Sequence, residues 1–194
     1  MDQKEKILSA GLDLFSTRPY HQTGIREITK QVGTPTGSFH YYFKNKEDFS
    51  VEVLDHFFRT EILPSFSAIN NDAKLHPKQK IIAYFSSRIE RYSTLSSPEG
   101  ATWSCIMGNL GQDVAAQSEI IAAKLQKLTT DQLVKGLEKL IEQGQQDGSI
   151  NTPIDAKLLS PMIFNAYEGS LIQRKIERSD EPLQLFLTFL DHLL

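Results

Sequence analysis

Apolar residues recur along the 194-residue chain at three- and four-residue intervals, which is the spacing of amphipathic helices. No segment shows the sustained alternation of apolar and polar positions, rich in β-branched residues, that marks a half-buried strand. The pattern therefore predicts an all-α protein with about nine helices.

Three helices are predicted within the first 46 residues. The first ends before Pro19, and its apolar stripe consists of Ile7, Leu8, Leu12 and Phe15. A short second helix is expected to be capped by Thr23 and stopped by Gly33. Thr34 is expected to cap the third helix, with Pro35 at its first position.

The third helix has an exposed face suited to close approach by another molecule. Phe39 and Phe43, four residues apart, are expected to share its buried face. Small, hydroxyl-bearing and aromatic side chains remain for the other faces: Thr34, Thr36, Gly37, Ser38, His40, Tyr41 and Tyr42. The adjacent aromatic residues could instead fill the core, but Phe39 and Phe43 already do so. Two short helices joined around Gly33 and braced by a longer one predict a helix-turn-helix whose last helix enters the major groove of DNA.

The rest of the chain predicts a larger helical body. Asn45 is expected to cap a helix from residue 46 to about 62. Further helices are predicted at about residues 77–93, 117–146, 155–178 and 182–194, with a break at 96–100 and a short segment at 103–112. We therefore expect a DNA-binding head at residues 1–46 and a ligand-binding and dimerisation body at residues 47–194.

The charge distribution is compatible with this division. The net charge is −3, but residues 1–46 hold seven Lys or Arg against four Asp or Glu, while the remainder holds 14 against 20. Phosphate binding depends on where cations lie rather than on their total, so a mildly basic head on an acidic body is compatible with DNA.

Several classes of protein are disfavoured by composition. The charged start and the lack of an apolar run of roughly 20 residues predict no signal peptide and no membrane span, and hence a cytoplasmic protein. One cysteine and five scattered histidines predict neither an intrachain disulfide nor a metal site. No phosphate-binding loop or catalytic constellation is recognisable, so we expect no cofactor and no enzymatic activity.

Three stretches of the head together resemble the DNA-binding heads of TetR regulators: ILSAGLDLF at residues 7–15, TGIREITKQVG at 23–33 and GTPTGSFHYYFKNKEDF at 33–49. The resemblance implies DNA contacts at six positions, namely Thr23, Arg26, Thr36, Tyr41, Tyr42 and Lys46. It places Thr36 and Tyr41 nearest the bases. It implies that Tyr42 and Lys46 mainly hold phosphates.

This chain departs from the common family pattern at three points. Thr34 replaces a buried aliphatic residue, Thr36 replaces a frequent Lys or Arg, and His40 with Tyr41 inverts the usual order of the two rings. The loss of a cation at Thr36 predicts a modest dependence of binding on salt. The base preference of relatives therefore cannot be transferred to this chain.

The segment from Trp103 to Gln112 is the predicted wall of a ligand pocket, because two glycines weaken the helix while Trp, Cys and Met offer adaptable surface. It also resembles a Cys-x-x-Gly-Asn-Leu stretch of one branch of the family. The candidate ligand-binding residues are Trp103, Cys105, Met107 and Asn109, with Tyr84, Arg88 and Tyr92 on one facing helix and Asn165, Tyr167 and Glu168 on another. Each of these could equally be a satisfied polar residue of the core.

Two single-residue assignments stay open. Arg26 either clamps a phosphate or pairs with Glu27 or Glu5. Cys105 either senses oxidants or is an inert buried thiol, which is the usual state of a lone cysteine beside apolar residues.

A homodimer is expected, because one small head covers a single half-site at best. The resemblance implies that the last two helices, at about residues 155–178 and 182–194, pair with their twofold mates in a four-helix bundle. Their surplus of apolar residues either forms this interface or packs against the subunit's own body. The sequence thus predicts a repressor of a palindromic operator that is released by an unknown small molecule, and it leaves open activation or control by a protein partner.

Overall fold

The computed structural model of the chain describes residues 2–95 and 103–194. All regular secondary structure in these residues is helical, which confirms the predicted all-α class. The break expected at residues 96–100 lies outside the described residues. No described helix is both long and apolar enough to span a bilayer.

The helices of the described residues are α1 (Gln3–Thr17), α2 (Ile25–Gln31), α3 (Thr36–Tyr42), α4 (Lys46–Phe57), α5 (Leu63–Asn70), α6 (Pro77–Thr94), α7 (Ile106–Asp113), α8 (Glu119–Leu128), α9 (Lys135–Asp147), α10 (Ala156–Glu177) and α11 (Glu181–Leu193). A 3₁₀ turn covers Tyr20–Gln22. π-Helical segments connect α4 to α5 at Phe58–Ile62 and α8 to α9 at Thr129–Val134. When α4 with α5 and α8 with α9 are each counted as one continuous helix, the described residues contain nine helices, as predicted.

Several helix boundaries follow from local capping. The Asn45 side chain accepts a hydrogen bond from the Asp48 amide at 2.8 Å and begins α4, as predicted. Gly33 ends the α2 region with φ +64°, a conformation that favours glycine.

Two predicted caps were wrong. The N-caps of α2 and α3 are Gly24 and Pro35, and neither Thr23 nor Thr34 caps a helix. The Thr23 hydroxyl instead donates to the Pro19 carbonyl at 3.3 Å. A threonine hydroxyl has several local carbonyls and amides within reach, so its residue type alone does not specify the cap.

Helix α5 was not predicted from the sequence. None of its residues is buried, so α5 lacks the buried apolar stripe by which the other helices were predicted. Its Phe66 ring nevertheless packs edge to face on Tyr84 of α6, with centroids 5.6 Å apart.

The chain divides into two compact units, which we describe separately. The first comprises residues 1–62 and 96–127 and contains α1 to α4, α7 and nearly all of α8. The second comprises residues 63–95 and 128–194 and contains α5, α6, α9, α10 and α11. Helix α4 thus belongs to the same unit as the three-helix head, while the domain boundary after residue 46 stays a prediction.

Aromatic packing forms the core of the first unit. Phe39, Phe43 and Phe49 lie with ring centroids 4.9–5.1 Å apart, and Phe15 contacts Phe49 at 5.9 Å. Helix α1 approaches α4 closely at Gly11, where an added Cβ would lie 2.3 Å from Cζ of Phe49. The helix that enters DNA in the predicted complex is therefore fixed to α4 by buried rings.

A second aromatic cluster lies in the second unit. Phe85 of α6, Tyr167 of α10 and Phe186 of α11 are mutually in contact, with ring centroids 5.1–5.6 Å apart. Arg174 is buried near the turn between α10 and α11. Its Nε donates to Asp180 at 2.5 Å, and its Nη2 donates to the Tyr92 carbonyl at 3.3 Å. These contacts hold α10 and α11 against the end of α6.

His56 is expected to make the stability of the first unit depend on pH. Its ring is buried between α4 and α1, with Nε2 3.4 Å from the Ser9 hydroxyl, and burial, assisted by nearby Arg59, lowers its pKa despite the opposing charges of Glu5 and Glu61. Because the folded pKa lies below the unfolded value near 6.5, the unfolded chain takes up the proton first. We therefore expect the contribution of neutral His56 to the free energy of unfolding to be fully present above pH 6.5 and to be lost as the pH falls below that value.

Urea denaturation of the wild type and of His56→Gln between pH 7.5 and 5 checks this expectation, with fluorescence of the single tryptophan, Trp103, reporting the first unit. The variant should lose part of the acid sensitivity. Equal pH dependence in both proteins would show that His56 does not contribute.

Candidate nucleic-acid interface

Helix α3 has a buried and an exposed face, as its sequence predicts. Phe39 is fully buried, whereas Tyr41 is 82% exposed, the highest value among the large hydrophobic side chains of the described residues. His40 and Gly37 are also exposed, and Thr36 and Ser38 are half-buried. The outward face of this seven-residue helix is thus small at its start and aromatic at its end.

The two tyrosines at the end of α3 contact each other. Their rings are edge to face with centroids 4.9 Å apart, and Tyr42 is half-buried while Tyr41 projects outward. Tyr42 also contacts Phe43 at 6.1 Å. Tyr42 thus packs on two neighbouring rings, whereas Tyr41 packs on Tyr42 and projects outward.

The start of α3 leaves room for a second molecule. A Cβ added at Gly37 would meet nothing within 4 Å, so this surface is open. The preceding turn is fixed by the Thr34 amide, which donates to the Thr29 carbonyl at 3.0 Å. Thr34 itself is half-buried.

Arg26 is exposed on α2, and within the described stretches no carboxylate pairs with it. The two acidic residues considered as partners are engaged elsewhere: Glu27 pairs with Arg18, and Glu5 closes the capping box of α1 with Asp2. The guanidinium of Arg26 is therefore available to an external anion.

Two residues assigned to DNA by resemblance are turned toward the protein. Thr23 is fully buried, with its hydroxyl on the Pro19 carbonyl. The Lys46 ammonium donates to the carbonyls of Tyr20 and Thr23 at 2.7 and 3.1 Å. The structure also adds Lys44, an exposed cation just after α3, which lies two positions beyond Tyr42 and was not among the predicted DNA contacts.

The candidate ligand-binding residues fall into two sets in different units. Trp103, Cys105 and Met107 are buried in the first unit, and the Asn109 amide there donates to the Phe15 carbonyl at 2.9 Å. This segment therefore packs on the end of α1. Its glycines, which were expected to weaken the helix, do not prevent α7 from forming.

The second set lies on α6 and α10. Arg88 is 4% exposed, and its Nη2 donates to the Tyr92 hydroxyl at 3.2 Å, with the guanidinium carbon 5.1 Å from that ring's centroid. Tyr92 and Tyr167 are buried, whereas Tyr84 and Glu168 are half-buried. Asn165 is exposed on another face of α10, so the structure does not bring it together with Tyr167.

An apolar stripe on α10 and α11 is exposed in the single chain. It consists of Leu158, Met162, Ile172 and Ile176 on α10, together with Leu185 and Phe189 on α11. Exposed Asn165 and Gly169 occupy the intervening positions of α10, so the stripe follows the alternating three- and four-residue spacing of a helix–helix seam. Other apolar residues of α11, such as Leu183, Phe186 and Leu190, are buried within the second unit.

Two family models match most of the chain. Residues 7–53 match the family described as bacterial regulatory proteins, tetR family, and residues 77–190 match the tetracyclin repressor-like C-terminal domain. The HTH-type transcriptional repressor DhaR of Mycobacterium sp. (strain GP1) is 30% identical over 185 residues, which cover 95% of this chain and 88% of DhaR.

Solved structures share the whole fold. The reduced form of NemR from E. coli superposes with a TM-score of 0.85 at 23% identity, covering 100% of this chain and 97% of NemR. FadR from Bacillus subtilis, in complex with stearoyl-CoA, superposes with a TM-score of 0.74 at 21% identity, covering 97% of this chain and 98% of FadR. At these identities the structural likeness concerns the fold alone.

Proposed function

The chain belongs to the TetR family of bacterial regulatory proteins, and we propose that it is a ligand-responsive repressor that binds a palindromic operator as a homodimer. Its relatives and its fold are those of transcriptional regulators, so it is not an enzyme. The observation that carries the proposal is the outward face of α3, where Tyr41 projects beside small side chains from a helix held by buried phenylalanines. The activity is placed in the cytoplasm, where bacterial operator DNA is accessible.

The outward face of α3 suits the major groove. Side chains without bulk at Thr36, Gly37 and Ser38 permit close approach, and hydroxyls there can bond base edges or phosphates. Tyr41 reads bases in this proposal, His40 lies beside it, and Tyr42 holds the backbone. Thr34 contributes at most through the turn before α3, because its side chain is half-buried.

Arg26 is proposed as the principal phosphate clamp of α2. Replacing it with alanine should weaken binding to all duplexes and reduce the slope of log K against log salt concentration by about 0.9, the contribution of one phosphate contact. Fluorescence polarisation at several salt concentrations measures both quantities. Lys139→Ala, which removes an exposed cation from α9, is the matched control. An unchanged slope in Arg26→Ala would remove Arg26 from the interface.

The homodimer is proposed to form through the apolar stripe of α10 and α11. Six large apolar side chains at seam spacing are exposed in the single chain, and burying them against a second copy removes them from water. Exposed Gly169, at which an added Cβ would meet nothing within 4 Å, leaves space for close approach of a second helix. Two heads on one dimer would bind two half-sites about one helical turn of DNA apart.

The effector is proposed to be a small molecule that binds among the body helices and favours a state unable to bind the operator. The buried Arg88, Tyr92 and Tyr167 of the second unit combine apolar rings with polar tips, as ligand sites in helical proteins do. Trp103, Cys105, Met107 and Asn109 form a separate candidate ligand wall within the first unit, beside the end of α1. Movement of α4 would transmit the change to the heads.

The effector is sought by first measuring the thermal midpoint of the protein with each member of a metabolite panel. Compounds that raise the midpoint by binding the native state are then added to the protein–operator complex. A true effector should raise the midpoint of the wild type and lower operator affinity, and Arg88→Leu should diminish both responses. Compounds that stabilise the protein yet leave DNA affinity unchanged would argue against the release mechanism.

A further inference from the structure

The 3₁₀ turn Tyr20–Gln22 lies between α1 and α2 and is contacted from two sides. Tyr20 is buried, and its ring stacks on Phe15 at the end of α1 with centroids 5.7 Å apart. Because α2 begins at Ile25 and packs on α3, the proposed reading helix, the position of this turn affects where α3 lies. A side chain that locks the turn can therefore affect DNA binding without touching DNA.

The first contact comes from Lys46 at the start of α4. Its Nζ lies 2.7 Å from the Tyr20 carbonyl oxygen, 3.1 Å from the Thr23 carbonyl oxygen and 3.8 Å from the centroid of the Tyr20 ring. Burial lowers the pKa of this ammonium. Two of its three donors are committed to the protein, and the aromatic face lies beneath its charge. These two donors are therefore not available to a DNA phosphate.

The second contact comes from Asp113 at the end of α7. Its Oδ2 accepts the hydrogen bond of the Tyr20 amide at 2.8 Å. Residues of this segment also bond the end of α1 at two points. The Ser104 backbone amide donates to the Ser16 carbonyl at 3.0 Å, and the Asn109 side-chain Nδ2 donates to the Phe15 carbonyl at 2.9 Å. Tyr20 is thus held by its amide from α7 and by its carbonyl and ring from α4.

We propose that Lys46 and Asp113 are positioning residues for DNA binding, which lock the Tyr20 turn and thereby set the reading helix, and that Lys46 is not a phosphate ligand. This inference rests on the proposed DNA-binding function and replaces the phosphate role that the family resemblance implies for Lys46. It makes α7 and α4 joint determinants of operator affinity through one residue, Tyr20.

The salt dependence of DNA binding distinguishes the two roles of Lys46. In Lys46→Met, which keeps the aliphatic stem, operator affinity should fall roughly tenfold, as for loss of a charged hydrogen bond, while the salt slope stays at the wild-type value. A phosphate ligand would lower the slope by about 0.9, as expected for Arg26→Ala. Lys139→Met is the control for loss of an exposed cation. A reduced slope, or unchanged affinity, in Lys46→Met overturns the proposal.

The sign of the Asp113 effect gives a second test. Removing a negative charge strengthens binding to phosphates by electrostatics alone. The positioning role predicts the opposite, a weaker operator affinity in Asp113→Ala, with partial rescue in Asp113→Asn, which keeps an acceptor oxygen. In the double variant with Lys46→Met, the losses should be less than additive because both residues act through Tyr20. Equal or tighter binding by Asp113→Ala contradicts the proposal.

Hydrogen exchange gives a readout that does not depend on DNA. Amides of residues 20–31 should exchange faster in Lys46→Met and Asp113→Ala than in the wild type, whereas amides of α10 should not change. Unchanged exchange in residues 20–31 would refute the locked turn even if DNA binding were altered. Failure of the wild type to bind any duplex at low salt would instead refute the proposed function, and the exchange data would still decide the role of the two residues.

Discussion

Replacing Met162 with glutamate is expected to convert the dimer into monomers and to weaken operator binding by roughly 10²–10⁴-fold, the gain that tethering a second binding module gives. Met162 is 56% exposed in the single chain and lies on the apolar stripe of α10 and α11. A carboxylate there would have to be desolvated at the proposed seam without a partner, at a cost that the dimer cannot offset.

Ile120→Glu is the matched control for this experiment. Ile120 is 50% exposed on α8 and is not part of the stripe, so its replacement adds the same charge at an equally exposed apolar site. Analytical ultracentrifugation should give a dimer for the wild type and Ile120→Glu, and a monomer for Met162→Glu. A dimer in all three proteins would place the interface elsewhere, and a monomeric wild type would remove the dimer from the proposal.

Replacing Phe39 with alanine is expected to destabilise the first unit by about 3–5 kcal/mol, the cost of a large buried cavity. Phe39 is fully buried and contacts Phe43 and Phe49 at ring-centroid distances of 5.1 Å. Because the anchor of the reading helix is lost, DNA binding should disappear together with the fold of the head. Urea denaturation followed through Trp103, which lies in this unit, measures the change.

Tyr41→Ala on the same helix is the complementary control. Its side chain is 82% exposed, so stability should change by no more than about 0.5 kcal/mol. Operator binding should nevertheless weaken, since the proposed base contact is removed. If Phe39→Ala were as stable as Tyr41→Ala, the buried and exposed faces of α3 would be assigned incorrectly.

The features that the sequence predicted well depend on local chemistry. Asn45 caps α4 and Gly33 adopts a positive φ, because each effect needs only the neighbouring backbone. The division of α3 into a buried face with Phe39 and an exposed face with Tyr41 follows from helical periodicity. Long-range contacts were not required for any of these predictions.

The features that the sequence missed depend on distant partners. The residues near Lys46 in the sequence do not indicate that its ammonium donates to carbonyls more than 20 residues away. The family resemblance instead assigned Lys46 to DNA. The same holds for Asp113, whose partner Tyr20 is 93 residues distant. Only tertiary packing shows that both side chains converge on one turn.

The assignment of Asn165 and Tyr167 to one ligand site could have been corrected from the sequence alone. Asn165 and Tyr167 were assigned to the same ligand site, yet side chains two positions apart on a helix point in nearly opposite directions. The structure exposes Asn165 on the apolar stripe and buries Tyr167. Helical geometry therefore separates a proposed interface residue from a proposed pocket residue.

Operator binding is tested most directly by a polarisation titration of a labelled duplex from the DNA flanking the protein's own gene, across a series of salt concentrations. We expect saturation at two chains per duplex, affinity that falls as salt rises, and poor competition by unrelated duplex. Absence of binding to the operator candidate and to unrelated DNA in low salt would contradict the proposed function.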